Sequence, residues 1–354
     1  MKKRLFVTII TAVLFVSGLL TGCADSSAEK KPDKLSIVTT CFPPYDFARA
    51  VAGESADITM LLCPGAEAHS YEPTPLDILK IQECDVFIYL GGSGEVWAEE
   101  ILESVGTDNK TVIRLFDYVE PLEEEEVHGA SPSGHSHDHS HNEEEEEEDS
   151  HSVQEQEHHH DENCGHNHAE NDYLGYDEHF WLSPSNAVLC TEGIRDALCS
   201  AVPEHISFDR QSYYSVNAEG YISQLEELEE DFAEMAENAP TDIIVIGDRF
   251  PFRYLTHDLG LEYFAAFSGC SSESEPGVYT MAFLIDEILE HNIDTVFCLE
   301  FSTKRLAEKL CDATGAQMLT LHSCHNVSGE DFENNVTYIQ LMRENLNNLR
   351  EALY

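Results

Sequence analysis

The chain has 354 residues, with 68 Asp+Glu against 19 Lys+Arg and a formal net charge of −49. That balance excludes a nucleic-acid binder, which needs clustered Lys and Arg to neutralise phosphates, and it favours cations as partners. With 42% hydrophobic and 9% aromatic residues, there is apolar material for packed cores, so global disorder is excluded. The length fits about two domains of roughly 100–200 residues.

In chain order, Lys2, Lys3 and Arg4 precede an apolar run from Leu5 to Leu20. A basic start, an apolar stretch and small residues after it describe a secretory signal over residues 1–22. The short run, broken by Ser17 and Gly18, argues against a transmembrane anchor. Leu20-Thr21-Gly22-Cys23 resembles the bacterial lipobox, which makes Cys23 the expected site of lipidation and residues 23–34 a polar tether. Ten cysteines remain after Cys23. In an exported chain they permit disulfides, but spacing fixes no pairing. No CxxC pair occurs, against a thiolate zinc knuckle. Cys190, Cys298 and Cys311 sit singly in apolar patterns and read as small buried side chains.

Short apolar runs then alternate with helical patterns, twice. Strands are expected at Leu35–Thr39, Ile58–Leu62, Val86–Leu90 and Thr111–Leu115, with helices at Tyr45–Gly53, Pro75–Cys84 and Val96–Val105. Thr74 is an N-cap and Pro75 a first helical residue. The second series has strands at Ile243–Ile246, Tyr263–Ala266, Thr295–Leu299 and Met318–Leu321. Its helices are expected at Tyr254–Leu259, Val278–His291, Thr303–Thr314 and Val336–Tyr354. Such alternation predicts a parallel sheet with flanking helices in each half.

Between the two series, apolar residues at Tyr214, Ala218, Tyr221, Leu225, Leu228, Phe232 and Met235 are spaced alternately four and three apart. This is one continuous helical stripe, about 33 Å long. The expected architecture is an α/β fold of two lobes joined by one long rigid spanning helix, with a ligand site in the cleft. The boundaries are 35–205 for the first lobe, 206–239 for the helix and 240–354 for the second lobe. A stiff strut restricts hinge closure and favours a site formed beforehand.

The first lobe contains a His/Glu-rich stretch at 120–175. From Glu120 to Glu178 there are 21 acidic residues and no Lys or Arg, and 11 of the 18 histidines lie between His128 and His168. No apolar periodicity exists there, so a disordered surface loop is expected. His135, His137, His139, His141, His158, His159 and His160 read either as solvated surface or as a low-affinity metal collector.

Ligands of α/β sheets bind beyond the carboxyl ends of strands. Three histidines stand at such places: His69 in the loop after the second strand, His179 after the acidic stretch, and His322 after the last strand. Each alone has a plain reading, His69 as solvated and His179 as packed beside Trp181. Together they suit zinc, cobalt, nickel or copper, whereas carboxylate-richer sets suit manganese.

Two segments carry a family resemblance. Cys63-Pro64-Gly65-Ala66-Glu67-Ala68-His69-Ser70-Tyr71-Glu72-Pro73 resembles the PPGAEPHSYEPSP signature of zinc-binding receptors of bacterial ABC importers, the ZnuA/AdcA-like lipoproteins. Glu178-His179-Phe180-Trp181-Leu182-Ser183-Pro184 resembles their DPHVWLSP signature, and Cys270–Pro276 resembles the segment ahead of a second-lobe helix. A His-rich insertion before the second motif and a lipobox are typical of the zinc-specific branch.

The resemblance implies two α/β lobes, a spanning helix and a metal in the cleft, with His69 and His179 as the first two ligands. The family's third ligand stands three residues before a Phe, a place that falls here on Arg249 or Gly247; neither binds metal. Asp248 either substitutes, pairs with Arg249 or caps the next helix. His322 stands where the family has an Asp, an exchange that shifts preference toward zinc. The implied site is His69, His179 and His322, completed by Asp248 or water, with Glu300 and Cys324 as lesser candidates.

The implied function is a lipid-anchored extracytoplasmic receptor on the cell membrane. It would capture Zn2+ as transported ligand, deliver it to an ABC importer permease, act as a monomer and catalyse nothing. The alternatives are a manganese or iron receptor of the same family, a secreted zinc hydrolase, which no HExxH supports, and a metal-sequestering surface adhesin.

Overall fold

Apolar runs of four to eight residues become parallel strands in two series. In the computed structural model, which describes residues 34–125, 175–201, 207–269 and 277–354, β1 (Leu35–Thr39), β2 (Ala56–Met60), β3 (Val86–Tyr89) and β4 (Thr111–Arg114) form one sheet ordered β2-β1-β3-β4. β5 (Ile243–Phe250), β6 (Glu262–Ser268), β7 (Thr295–Leu299) and β8 (Gln317–Leu321) form a second, ordered β6-β5-β7-β8. All pairings are parallel. In each sheet the order reverses beside its first strand, which places a crevice at the carboxyl ends of β1/β3 and β5/β7. The two-lobed α/β expectation is the observed fold.

Two strands differ from the sequence pattern in ways that shape the cleft. β2 ends at Met60, two residues before the apolar run does. Leu61 and Leu62 continue only as N–H donors to the Thr39 and Thr40 carbonyls, at 2.8 and 2.9 Å, and both are buried. β5 runs four residues past Ile246, across a register shift between Ile246 and Arg249. Gly247 lies in this bulge, and a Cβ there would fall 2.8 Å from Ala307 Cα, so only glycine allows the strand to pass that close.

The helices are α1 (Phe42–Ala52), α2 (Pro75–Glu83), α3 (Val96–Val105), α4 (Pro184–Ala201), α5 (Ser207–Asn238), α6 (Arg253–Leu259), α7 (Val278–Glu290), α8 (Arg305–Thr314), α9 (Gly329–Glu333) and α10 (Tyr338–Leu353). α1 begins three residues before the expected Tyr45, because Pro43 and Pro44 fall in its first turn, where an amide proton has no partner to lose. α2 opens on a capping box in which Thr74 and Asp77 each accept from the other's backbone N–H. α10 has the same device in Thr337 and Gln340.

α5 is the long helix read from the four-three stripe, and all seven stripe residues are buried. It packs on α1 and α4 from the first lobe and on α10 from the second. The tie between lobes is reinforced at Asp46 of α1. Its carboxylate accepts from Tyr221 Oη of α5 and from the Tyr338 backbone N–H of α10, both at 2.8 Å, and also pairs with Arg49.

Among the described residues no helix is long and apolar enough to cross a membrane. Cys190 and Cys298 are buried and Cys311 partly so. The signal segment, Cys23, the seven collector histidines and Cys270–Pro276 lie outside the described residues.

Candidate metal centre

Three histidines converge in the cleft, one from each of three loops. His69 rides on a single 3-10 turn, Ala68–Ser70, in the loop after β2. That loop is held from the other lobe: Asn326 Nδ2 donates to the Cys63 and Ala66 carbonyls, each at 2.8 Å, and Gly65 N–H donates to Val327 O at 2.7 Å. His179 precedes the turn Phe180–Leu182, whose three side chains are fully buried and fix its position. His325 follows β8. Its loop is stapled to the first lobe by Phe42 N–H donating to the His325 carbonyl at 3.2 Å and by Trp181 Nε1 donating to Ser323 O at 2.9 Å.

One ring nitrogen from each of His69, His179 and His325 lies within 4.8 Å of the other two. Tetrahedral zinc with Zn–N near 2.0–2.1 Å sets donors about 3.3 Å apart. The rings thus need contract by no more than about 1.5 Å to share one ion. The surrounding pocket is lined by Glu67, Arg249, Gly269, Glu300 and Ser323 as well as the three rings, and encloses about 40 Å³.

Carboxylates lie against two of the rings. Asp177 Oδ1 lies 3.1 Å from His179 Nδ1 and also accepts from the His179 backbone N–H at 2.8 Å. Glu178 Oε1 lies 3.5 Å from His69 Nδ1. Burial disfavours a charge on His179, but Asp177 and Glu178 outweigh it and raise its pKa. His69 is lowered by burial, then by His179 and Arg249, against the pull of Glu178. His325 is pushed well below the ordinary imidazole value by burial and by His69, His179 and Arg249. His69 and His325 are therefore held neutral near pH 7, with lone pairs available to a metal.

His69 and His179 come together as the motifs placed them, but their partner is His325, three residues beyond the expected His322. The reason is local. His322 is pinned by Asn345, which accepts from its N–H at 2.7 Å and donates to its carbonyl at 2.8 Å. Its Nδ1 lone pair accepts from Cys324 N–H at 2.9 Å. Cys324 then adopts φ +55, a left-handed conformation that turns the chain back and delivers His325 to the cleft.

Asp248 is not in the cluster either. Its carboxylate accepts from Arg249 N–H at 2.9 Å and Leu299 N–H at 3.4 Å, which braces the β5 bulge. Glu300 holds Ser323 through its hydroxyl at 2.6 Å and its N–H at 3.0 Å, and the Cys324 side chain is buried. Arg249 lines the pocket and bridges to Glu67 of the other lobe at 2.9 Å. The sequence assigns no partner role to Asp177, at the end of the acidic stretch, or to Glu178, at the head of the second motif. The signal available was their place immediately before His179.

The family described as zinc-uptake complex component A, periplasmic (ZnuA) matches residues 37–352. The zinc-binding protein AdcA of Streptococcus pyogenes is 28% identical over 353 residues, covering 99% of this chain and 61% of its own length, so the chain spans only part of that relative. The high-affinity zinc uptake system protein ZnuA of Bacillus subtilis is 28% identical over 340 residues, 95% of this chain and 94% of its own. Among solved structures, the Zn(II)-bound ZnuA-like domain of Streptococcus pneumoniae AdcA is similar with a TM-score of 0.67 and 27% identity. The match covers 90% of this chain and 99% of that one.

Proposed function

The chain belongs to the zinc-uptake complex component A family, and from that premise we propose that it is an extracytoplasmic receptor that captures Zn2+ and hands it to an ABC-type importer. The observation that carries this reading is the convergence of His69, His179 and His325 within 4.8 Å of one another in the cleft. Three imidazole donors without a carboxylate ligand favour zinc over manganese. No reaction is assigned: binding and docking are the whole activity, and the receptor acts as a monomer.

The lipobox supports attachment through Cys23 to the outer face of the cell membrane. Incorporation of labelled fatty acid, lost in Cys23→Ala, tests that attachment. The histidine-rich insertion supports a second role. Glu123 and Tyr176, which flank the insertion, pair as an isolated antiparallel bridge three residues before His179. We assign it the collection of zinc near the cleft through its clustered histidines, with modest affinity. Deleting Val127–Asn171 should lower total zinc stoichiometry and leave one tight site.

The deciding experiment is calorimetric titration of the soluble chain from Ala24, without the insertion, with Zn2+ and with Mn2+. One tight zinc site, weakened at least about 100-fold in His69→Ala and much weaker for manganese, is the expected result. The absence of a tight site would overturn the receptor reading.

A further inference from the structure

Glu178 occupies a seat built for a carboxylate. The turn after β3, Gly92-Ser93-Gly94, wraps its side chain: Gly94 N–H donates to Oε2 at 2.7 Å and Ser93 Oγ donates to the same oxygen at 3.3 Å. A Cβ on Gly94 would fall 2.8 Å from Oε1 and 2.9 Å from Oε2, so a larger residue could not approach this way. The Glu178 side chain is only 5% exposed. With Oε2 held by the turn, Oε1 is left facing His69 Nδ1 at 3.5 Å.

We propose that Glu178 is the positioning residue of His69: it holds the ring as the Nδ1–H tautomer and so presents Nε2 to the metal. This rests on the zinc reading above. His69 sits on a one-turn loop and is the most exposed of the three histidines, so its orientation needs an external partner. A carboxylate on the second ring nitrogen fixes the tautomer and raises the donor strength of the first. At 3.5 Å the contact is an electrostatic one, longer than a full hydrogen bond. Glu178 also adds a negative charge beside the imidazole donors.

Two measurements test it on the full chain. Imidazole nitrogen NMR of the zinc-free protein should show His69 as the Nδ1–H tautomer, and Glu178→Gln should convert it to a mixture. The same variant should bind zinc about 10–100-fold more weakly, and in a His69→Ala background it should change zinc affinity by less than about twofold. Gly94→Ala keeps the glutamate but displaces its carboxylate, so it should repeat the tautomer change if Glu178→Gln folds poorly. An unchanged tautomer in both variants, or a Glu178→Gln loss that persists in the His69→Ala background, would overturn the proposal. Because the tautomer is read without zinc, its failure is distinguishable from the lack of a tight zinc site in the unmodified chain.

Discussion

Asp177 holds His179 twice, through the backbone N–H at 2.8 Å and the ring Nδ1 at 3.1 Å. With Nδ1 engaged, only Nε2 remains to face a metal, and the ring cannot flip without breaking a buried charge-assisted contact. Asp177→Ala should therefore weaken zinc binding about 10–100-fold. The fold should persist, since Tyr254 bonds to the Asp177 carbonyl rather than its side chain. Competition with a zinc chelator measures the affinity and circular dichroism the fold. Affinity equal to the parent would mean that burial alone orients the ring.

His322 and His325 make a sharper contrast. Removing one of three donors should cost at least about 100-fold in zinc affinity, close to 3 kcal/mol, so His325→Ala should nearly abolish tight binding. His322→Ala removes an acceptor for Cys324 N–H and loosens the turn, and should change zinc affinity by less than about tenfold at a stability cost near 1 kcal/mol. Calorimetry on both variants checks this. The reverse ranking would restore the ligand expected from the sequence.

How much of this was legible depended on what kind of force fixed each part. The strands and α5 follow from apolar periodicity, because burial on a sheet face or helix stripe is a local pattern with a fixed repeat. His69 and His179 were legible because each lies in a recognisable loop motif. The choice of His325 over His322 was not. It is decided by Asn345, twenty-three residues away, and by a left-handed Cys324, neither of which periodicity encodes. Asp248 failed for a related reason: a bulge in β5 turned its carboxylate onto backbone amides. Glu178 was invisible as a partner of His69 because their pairing needs the glycine turn after β3, more than eighty residues earlier in the chain.

Asp46 should matter for stability and not for metal binding. It joins α1, α5 and α10 through Arg49, Tyr221 and the Tyr338 N–H. Replacing it by Ala leaves buried donors without an acceptor and Arg49 without its counter-charge. The expected loss is roughly 2–4 kcal/mol, seen as a lower urea midpoint. Zinc affinity at folded-state concentrations should stay within about threefold, because no Asp46 contact reaches the three histidines. A loss of affinity without a loss of stability would mean that the inter-lobe tie sets the cleft instead.

Glu95 sets a pH dependence of stability. Burial raises its carboxyl to about 7 from an ordinary 4.5 and the nearby Glu178 charge adds to that, while bonds from Thr40 and the Gly91 and Leu90 N–H groups only partly compensate. Below about pH 4.5 both folded and unfolded chains carry the proton, so Glu95 makes no difference between them. From there to about pH 7 the unfolded chain releases its proton while the folded chain keeps it. Stability from this group is therefore lost as pH rises through that window, by on the order of 3 kcal/mol in all. Glu95→Gln cannot titrate and escapes the loss, while its amide oxygen can still accept from Leu90 N–H, held at 2.7 Å in the parent. Urea unfolding of both proteins from pH 4.5 to 8 should show the variant gaining on the parent as pH increases, with groups common to both cancelling. A stability difference that stays flat with pH would mean that Glu95 remains ionised in the folded protein.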